Sequence, residues 1–484
     1  MGLGLLSCNN LLEVQPNTFT SGSNYYETEN QVETAVNGAY SVLQTLNTGG
    51  NFWIFTEVRS DNTTYQYNPN NRCCITREQV DEFLNTATDR YTEIVWSELY
   101  NGVQQTNVIL NRIEGVTFTD TGKKDRLIGE AKFLRGLLYF YLVRLFGEVP
   151  LRNEEVKGPT DAFSDQKATV DQVYGQIIMD ATDAAANLPV SYPASEVGRA
   201  TQGAALTLLG DVYLTRKDYA NAISTLQQVT QFGYGLVPEY VNIFDPNNKN
   251  NSESIFEVQY NAGIDGESSN FFFNFGPFSG GLDLTGFQGQ LGGLNIPTPS
   301  VINAYEPGDK RKAASIGYYV NPDNSTSFES FSGDSIPYIN KYYHPPFEIN
   351  DRTDENWPIY RYADVLLMLS EALNEEGKTG EAYAYINPIR MRAGLEIFSG
   401  LSQEAFREAV YEEARVELAF ENHRWFDLLR TGRAIEVMTQ HGEEERARLP
   451  RVGPESFNVQ QHMLVFPIPA SEVRLNNIAQ NPNY

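Results

Sequence analysis

Near the end of the chain, Glu413, Arg415, Glu417, Glu421, Arg424, Asp427 and Arg430 form the densest set of residues capable of acid–base chemistry. Glycoside cleavage needs two carboxylates held roughly 5–9.5 Å apart across a sugar. With 62 Asp and Glu residues in the chain, no spacing singles out such a pair. Several of these charges instead recur at i,i+3 or i,i+4, where opposite signs support a helix. The set therefore reads as a charged network tying two helices together, and Arg361 and Asp364, ahead of the apolar run 365–369, read the same way. No catalysis is expected.

Metal and thiol chemistry have less support still. His344, His423, His441 and His462 are scattered without the paired spacing of a zinc site. The run Asp245-Pro246-Asn247-Asn248-Lys249 opens like an oxygen-ligand loop. However, Lys249 stands where calcium would want an oxygen, and no glycine supplies the turn. A calcium or magnesium ion on less regular loops stays open. Cys73-Cys74 lacks the two-residue spacer that lets a helix N-terminus activate one thiol. Neither a metal site nor a cofactor is expected.

Ring stacking suits the composition better, with 28 Tyr, 27 Phe and 4 Trp set among many Asn and Gly residues. A pyranose offers a patch of C–H groups to a flat aromatic face, while its hydroxyls want amide, carboxylate or guanidinium partners. Three regions combine the two. The first runs from Asn51-Phe52-Trp53 through Asp61, Asn62, Tyr65, Tyr67 and Asn70. The second is Asn270 with Phe271, Phe272, Phe273, Phe275, Phe278 and Phe287, and the third is Tyr338, Tyr342, Tyr343 and Trp357 with Asn340, Asn350 and Asp351. Trp53 is open to ligand contact or core packing and is the first choice of platform. Trp96 and Trp425 read as core, and the core also has the stronger claim on Trp357. The phenylalanines at 271–278 lack a polar rim of their own and suit a partner-facing surface equally well.

Helices must position these groups. Apolar periodicity predicts them over about 29–46, 78–113, 122–146 and 168–187. The segment Lys123–Phe146 is the strongest, with Leu127, Ala131, Leu134, Leu138, Leu142 and Leu145 in register and Gly147 as a stop. Residues 201–229 read as a tetratricopeptide-like helix pair, in which Gly210 and Ala222 permit close approach. A looser pair spans 362–393, and helical periodicity returns after Ser402. Between the pairs, 232–357 reads as a loop-rich excursion with short strands near 255–260 and 338–342. The reading is one mostly α domain over 29–484, preceded by an anchor segment and arm at 1–28.

The formal net charge of −26 repels phosphate backbones, so nucleic acid is an unsuitable ligand. No later stretch approaches the roughly 18–20 apolar residues of a membrane span. Cys8, behind Leu5-Leu6-Ser7, suits a bacterial lipoprotein cleavage and acylation site. Only seven residues precede it, none of them Lys or Arg, so the usual signal-peptide start is missing.

Five stretches in order resemble the SusD/RagB family of Bacteroidota outer-membrane nutrient-binding lipoproteins. They are Cys8 to Tyr40; Gly129–Arg135 with Tyr139, Phe140 and Gly147; Tyr360–Met368 with Glu371-Ala372; Glu413–Arg415 through Asn422–Arg430; and Phe466–Pro469 with Glu472, Asn476 and Gln480-Asn481-Pro482. The resemblance implies a helical, tetratricopeptide-like scaffold beneath a variable loop-rich face. It also implies lipidation at Cys8, location at the cell surface, and a SusC/RagA-type TonB-dependent transporter as partner. The implied activity is non-catalytic capture and delivery of a glycan. Delivery of peptides, a secreted glycan-cleaving enzyme on the same scaffold, and a helical-repeat protein adaptor are the alternatives.

Overall fold

The computed structural model describes residues 26–67, 75–158, 161, 166–320 and 335–484, so Cys8, Asn70, Cys73 and Cys74 lie outside the described residues. The first half is built from α1 (Glu29–Thr48), α2 (Ile75–Asp81), α3 (Arg90–Arg112), α4 (Thr121–Phe146), α5 (Val170–Asn187), α6 (Gln202–Thr215) and α7 (Tyr219–Val229). Their starts are set by side-chain caps. Thr28 with Gln31 and Thr169 with Gln172 form capping boxes, while Asp89, Asp120, Thr201 and Asp218 each accept a backbone N–H. The periodicity over 78–113 hides a break, because Phe83 takes a left-handed backbone (φ 61°) and Asp89 restarts the helix. For a bulky residue that conformation is costly. Phe83 is held there by the Arg59 guanidinium 3.5 Å over its ring and by Trp425 edge-on at 5.8 Å.

Helix α4 lies between α3 and α5, and every residue from Phe133 to Val143 is buried. Close approach needs glycine at two contacts. A Cβ on Gly102 would sit 2.6 Å from Leu138, and one on Gly210 would sit 2.4 Å from Leu226. The second is the close approach anticipated for the pair α6–α7.

The second half of the helical scaffold comprises α11 (Tyr362–Glu375), α12 (Thr379–Ala393), α13 (Gln403–Glu417), α14 (Arg424–Thr431), α15 (Ala434–Arg448) and α16 (Ala470–Asn476). Far apart in sequence, the two helix pairs are neighbours in space: α7 packs on α11, which packs on α12 and α13. The stack thus runs continuously from α3 to α13. One buried apolar cluster extends along it from Val32 to Ile478.

The intervening segment carries α8 (Phe271–Phe275), α9 (Pro299–Ala304) and α10 (Lys310–Ser315). Three antiparallel strand pairs accompany them: β1 (Thr63–Thr64) with β3 (Ile296–Pro297), β2 (Ser254–Val258) with β6 (Trp357–Arg361), and β4 (Ile316–Val320) with β5 (Ser335–Ile339). The expected strand near 338–342 therefore ends at Ile339, and Lys341 to Tyr343 lie in the turn beyond it. Among the described residues, no helix is long and apolar enough to cross a membrane.

Candidate functional site

The three aromatic regions converge through their backbones. Gln66 donates its N–H to Gly293 O at 2.6 Å, and its side-chain carbonyl accepts Phe278 N–H at 2.9 Å. Ser269 and Thr353 exchange backbone bonds of 3.0 and 2.7 Å. On α8, Phe271 and Phe275 share one face and Phe272 and Phe273 another, which divides the rings into two tiers.

The inner tier is solid core. Phe271 and Phe275 pack edge-on to Trp357 at 4.8 Å and to Trp53 at 5.0 Å, and Tyr342 stacks on Trp357 at 5.0 Å and 11°. Trp53 and Trp357 have no exposed surface, and Tyr342 only 1%. Trp53 and Tyr342 thereby pass from candidate ligand platforms to core, and Trp357 is core, the reading already favoured for it, since a ring enclosed on both faces has none to offer a sugar. The same correction applies to three residues after the first helix. Asp61 is buried between Arg415 at 2.7 Å and Arg424 at 2.8 Å, and buried Asn62 accepts Arg415 Nε at 2.9 Å. Tyr65 donates to Glu82 beneath the Arg451 guanidinium.

The outer tier faces solvent. Phe272 packs on Tyr343 at 4.4 Å and stacks on Phe347 at 5.7 Å and 11°, while Phe273 meets Phe347 at 5.4 Å. Tyr338 closes the group 5.4 Å from Tyr343, its ring lying across Gly317, where an added Cβ would come within 2.3 Å. Tyr319 fixes β4 to the 279–283 turn by donating to Asp283 at 2.8 Å. Tyr343, Phe347 and Phe287 are half-buried, and Phe273 shows an 8% edge. Tyr67, half-buried with Arg451 4.5 Å over its ring, stands beside the same loop. Asn270, Asp283, His344 and exposed Asn350 and Asp351 supply polar groups around it. Of the residues named from sequence, Tyr67, Phe273, Phe287, Tyr343, Asn350 and Asp351 keep accessible surface here. Phe347 was missed. Tyr319 packs into this cluster, while the adjoining Tyr318 is turned to the other face of the β4–β5 pair.

Buried charges root this face in the scaffold. Arg311, Lys341, Arg361, Arg390 and Arg392 meet Glu253, Asp309, Glu413, Glu417 and Glu421, and none of these side chains is more than 4% exposed. The charged network anticipated from sequence as a tie between two helices thus reaches beyond them to Lys341, next to Tyr342. Burial lowers the Lys341 ammonium to about 8, against the pull of Glu421 2.6 Å away. Burial alone would raise Asp61, but the Arg415 and Arg424 guanidiniums hold its carboxyl well below the usual range.

Glu57 behaves oppositely. It is fully buried, accepts Asn422 N–H at 2.8 Å, and is pushed by burial from 4.5 to about 8. Between those values the folded chain holds a proton that the unfolded chain has released, so this group costs stability as pH rises from about 4.5 to about 8. Glu57→Gln keeps the neutral shape. Its stability, followed by urea denaturation across that range, should gain on the parent as pH rises; a constant difference between the two would show Glu57 to be charged throughout.

Comparison with known proteins assigns the architecture. The SusD family profile matches residues 252–484, and a second, described as "Starch-binding associating with outer membrane", matches 11–214. The chain is similar to SusD-like protein P25 of Formosa agariphila, 26% identical across 98% of this chain and 94% of that protein. SusD-like protein P2 of the same organism is 28% identical, covering 100% and 98% of the two chains. Among solved structures, a laminarin-binding SusD-like protein superposes with a TM-score of 0.80 at 27% identity, over 95% of this chain and all of that one. With both profiles in order, the helix stack and the full-length relatives agreeing, the chain belongs to the SusD family of non-catalytic nutrient-binding lipoproteins exposed at the Bacteroidota outer membrane.

Proposed function

We propose that the protein captures an extracellular oligosaccharide on the outer aromatic tier and passes it, without chemistry, to a SusC-type TonB-dependent transporter. The observation that carries this reading is the two-tier arrangement itself. Half-buried Tyr343 and Phe347 pack on Phe272, which has no exposed surface, so their faces are set before a ligand arrives and little ordering is lost on binding. A starch-binding family description and a laminarin-binding structural relative support a glucan as the ligand class. We take residues 29–484 to act as one unit, with Cys8 as the lipidated residue.

Calorimetry against a glycan panel tests the site. Tyr343→Ala and Phe347→Ala should each cost roughly 1–3 kcal/mol of affinity, by analogy with stacking of bases on aromatic side chains. The melting temperature should stay near the parent value, because both rings are only half-buried. Unchanged glycan affinity in the double variant would remove the tier from the site, and binding of peptides in place of glycans would shift the ligand class. Co-purification of the transporter from the native membrane tests the partner.

A further inference from the structure

A groove that shares no residue with the aromatic face has the chemistry of a second saccharide site. It runs between α3, the 150–156 segment and α16, and encloses about 400 Å³. That lies within the roughly 300–1,000 Å³ usual for small-molecule sites. None of its lining residues belongs to the outer aromatic tier.

The floor is preformed. Trp96 and Tyr100, one turn apart on α3, pack 4.9 Å apart, and Trp96 is braced edge-on by Phe146 at 5.0 Å. Tyr100 donates its hydroxyl to Pro150 O at 2.7 Å. One turn further on, Gln104 clamps Val156 by both its N–H and its carbonyl, at 3.1 and 3.2 Å. Asn107 then donates to Arg152 O at 2.9 Å. The 150–156 wall is thus bolted to α3 at successive turns and cannot fold into the groove. On the rim stand exposed Ser97 and Asn101 from α3 and, opposite, Glu472 and Asn476 of α16.

We propose that this groove is an accessory site for a short stretch of neutral oligosaccharide; the choice of ligand class rests on the function proposed above. Half-buried Tyr100 supplies an apolar patch for the C–H face of a sugar, and the hydroxyl, amide and carboxylate groups of the rim supply partners for its hydroxyls. Arg152 and Glu472 leave the lining without net charge, and the −26 of the whole chain disfavours an anionic occupant. A second contact point raises retention of a long glycan by making its second binding event intramolecular.

Soaking crystals of the full chain separately with maltohexaose and laminarihexaose tests the site, and at least one should place sugar rings over Tyr100. In titrations with the same probes, the Tyr343→Ala/Phe347→Ala variant should keep a weaker saturable site. Adding Ser97→Trp, which fills the groove, should weaken that site by about tenfold or more. The melting temperature should not change, and Asn101→Ala serves as a second variant should the tryptophan disturb folding. A groove empty in both soaks overturns the accessory site whatever the aromatic face shows. Sugar on the face alone leaves the proposed function standing, whereas sugar in the groove alone supports the accessory site and counts against the face.

Discussion

Arg361→Met should lower the folding free energy by about 3–5 kcal/mol, the usual cost of breaking a buried ion pair by removing one partner. All five N–H donors of the guanidinium are in use. They reach Glu421 at 2.6 and 3.0 Å, Glu253 at 2.5 Å, and the Glu417 carboxylate and carbonyl at 3.1 Å each. In the parent, five buried cations balance five buried carboxylates; the variant leaves one carboxylate in excess. Arg361→Lys keeps the charge but loses the fork, so its loss should be smaller. Acid sensitivity should change as well. Burial would raise Glu417 and Glu421, yet the surrounding cations hold both below the usual range. Their contribution is therefore present above the unfolded carboxylate values and lost as pH falls through the lower folded ones. Without Arg361 that loss should shrink. Urea titrations at pH 7 and pH 4 check both effects, and parent-like stability at pH 7 would show the network to be dispensable.

The helices were legible because their signals are local. The apolar register of Leu127 to Leu145 with Gly147 as its stop, and the Gly210–Ala222 pairing, act within a few turns. The break at Phe83 was not legible, since its left-handed backbone is held by Arg59 and Trp425, far along the chain. The adjacency of the two helix pairs was equally hidden, because it depends on how the stack turns in space. For the candidate site, composition pointed to three segments that the fold brings together, but not to which side of each faces outward. Tyr342 and Tyr343 are adjacent and chemically alike. One stacks on Trp357 in the interior, and the other stands half-exposed against Phe272. In a loop without a strand or helix period, sequence carries no rule for which neighbour faces inward. Polar surroundings misled in the same way: Asp61 and Asn62 signalled a wet site around Trp53, but their partners are Arg415 and Arg424 of the helical scaffold.

That distinction makes Trp53→Ala the sharpest test of the two-tier arrangement. Trp53 has no exposed surface, packs on Phe275 and leads into the π-helical turn Ile54–Val58, which carries Glu57 to Asn422. Truncating a buried tryptophan typically costs about 3–5 kcal/mol, through lost transfer energy and the cavity left behind. The variant should therefore melt well below the parent. Measured below its own transition, its glycan affinity should stay close to the parent's, because the outer rings are placed by Phe272, Tyr338 and Gly317 rather than by Trp53. Tyr343→Ala should give the reverse pattern of weakened binding at nearly constant stability. If instead Trp53→Ala abolished binding while keeping the parent's melting temperature, Trp53 would be a ligand platform reached by opening of the 271–275 helix, and the inner tier could not be closed core.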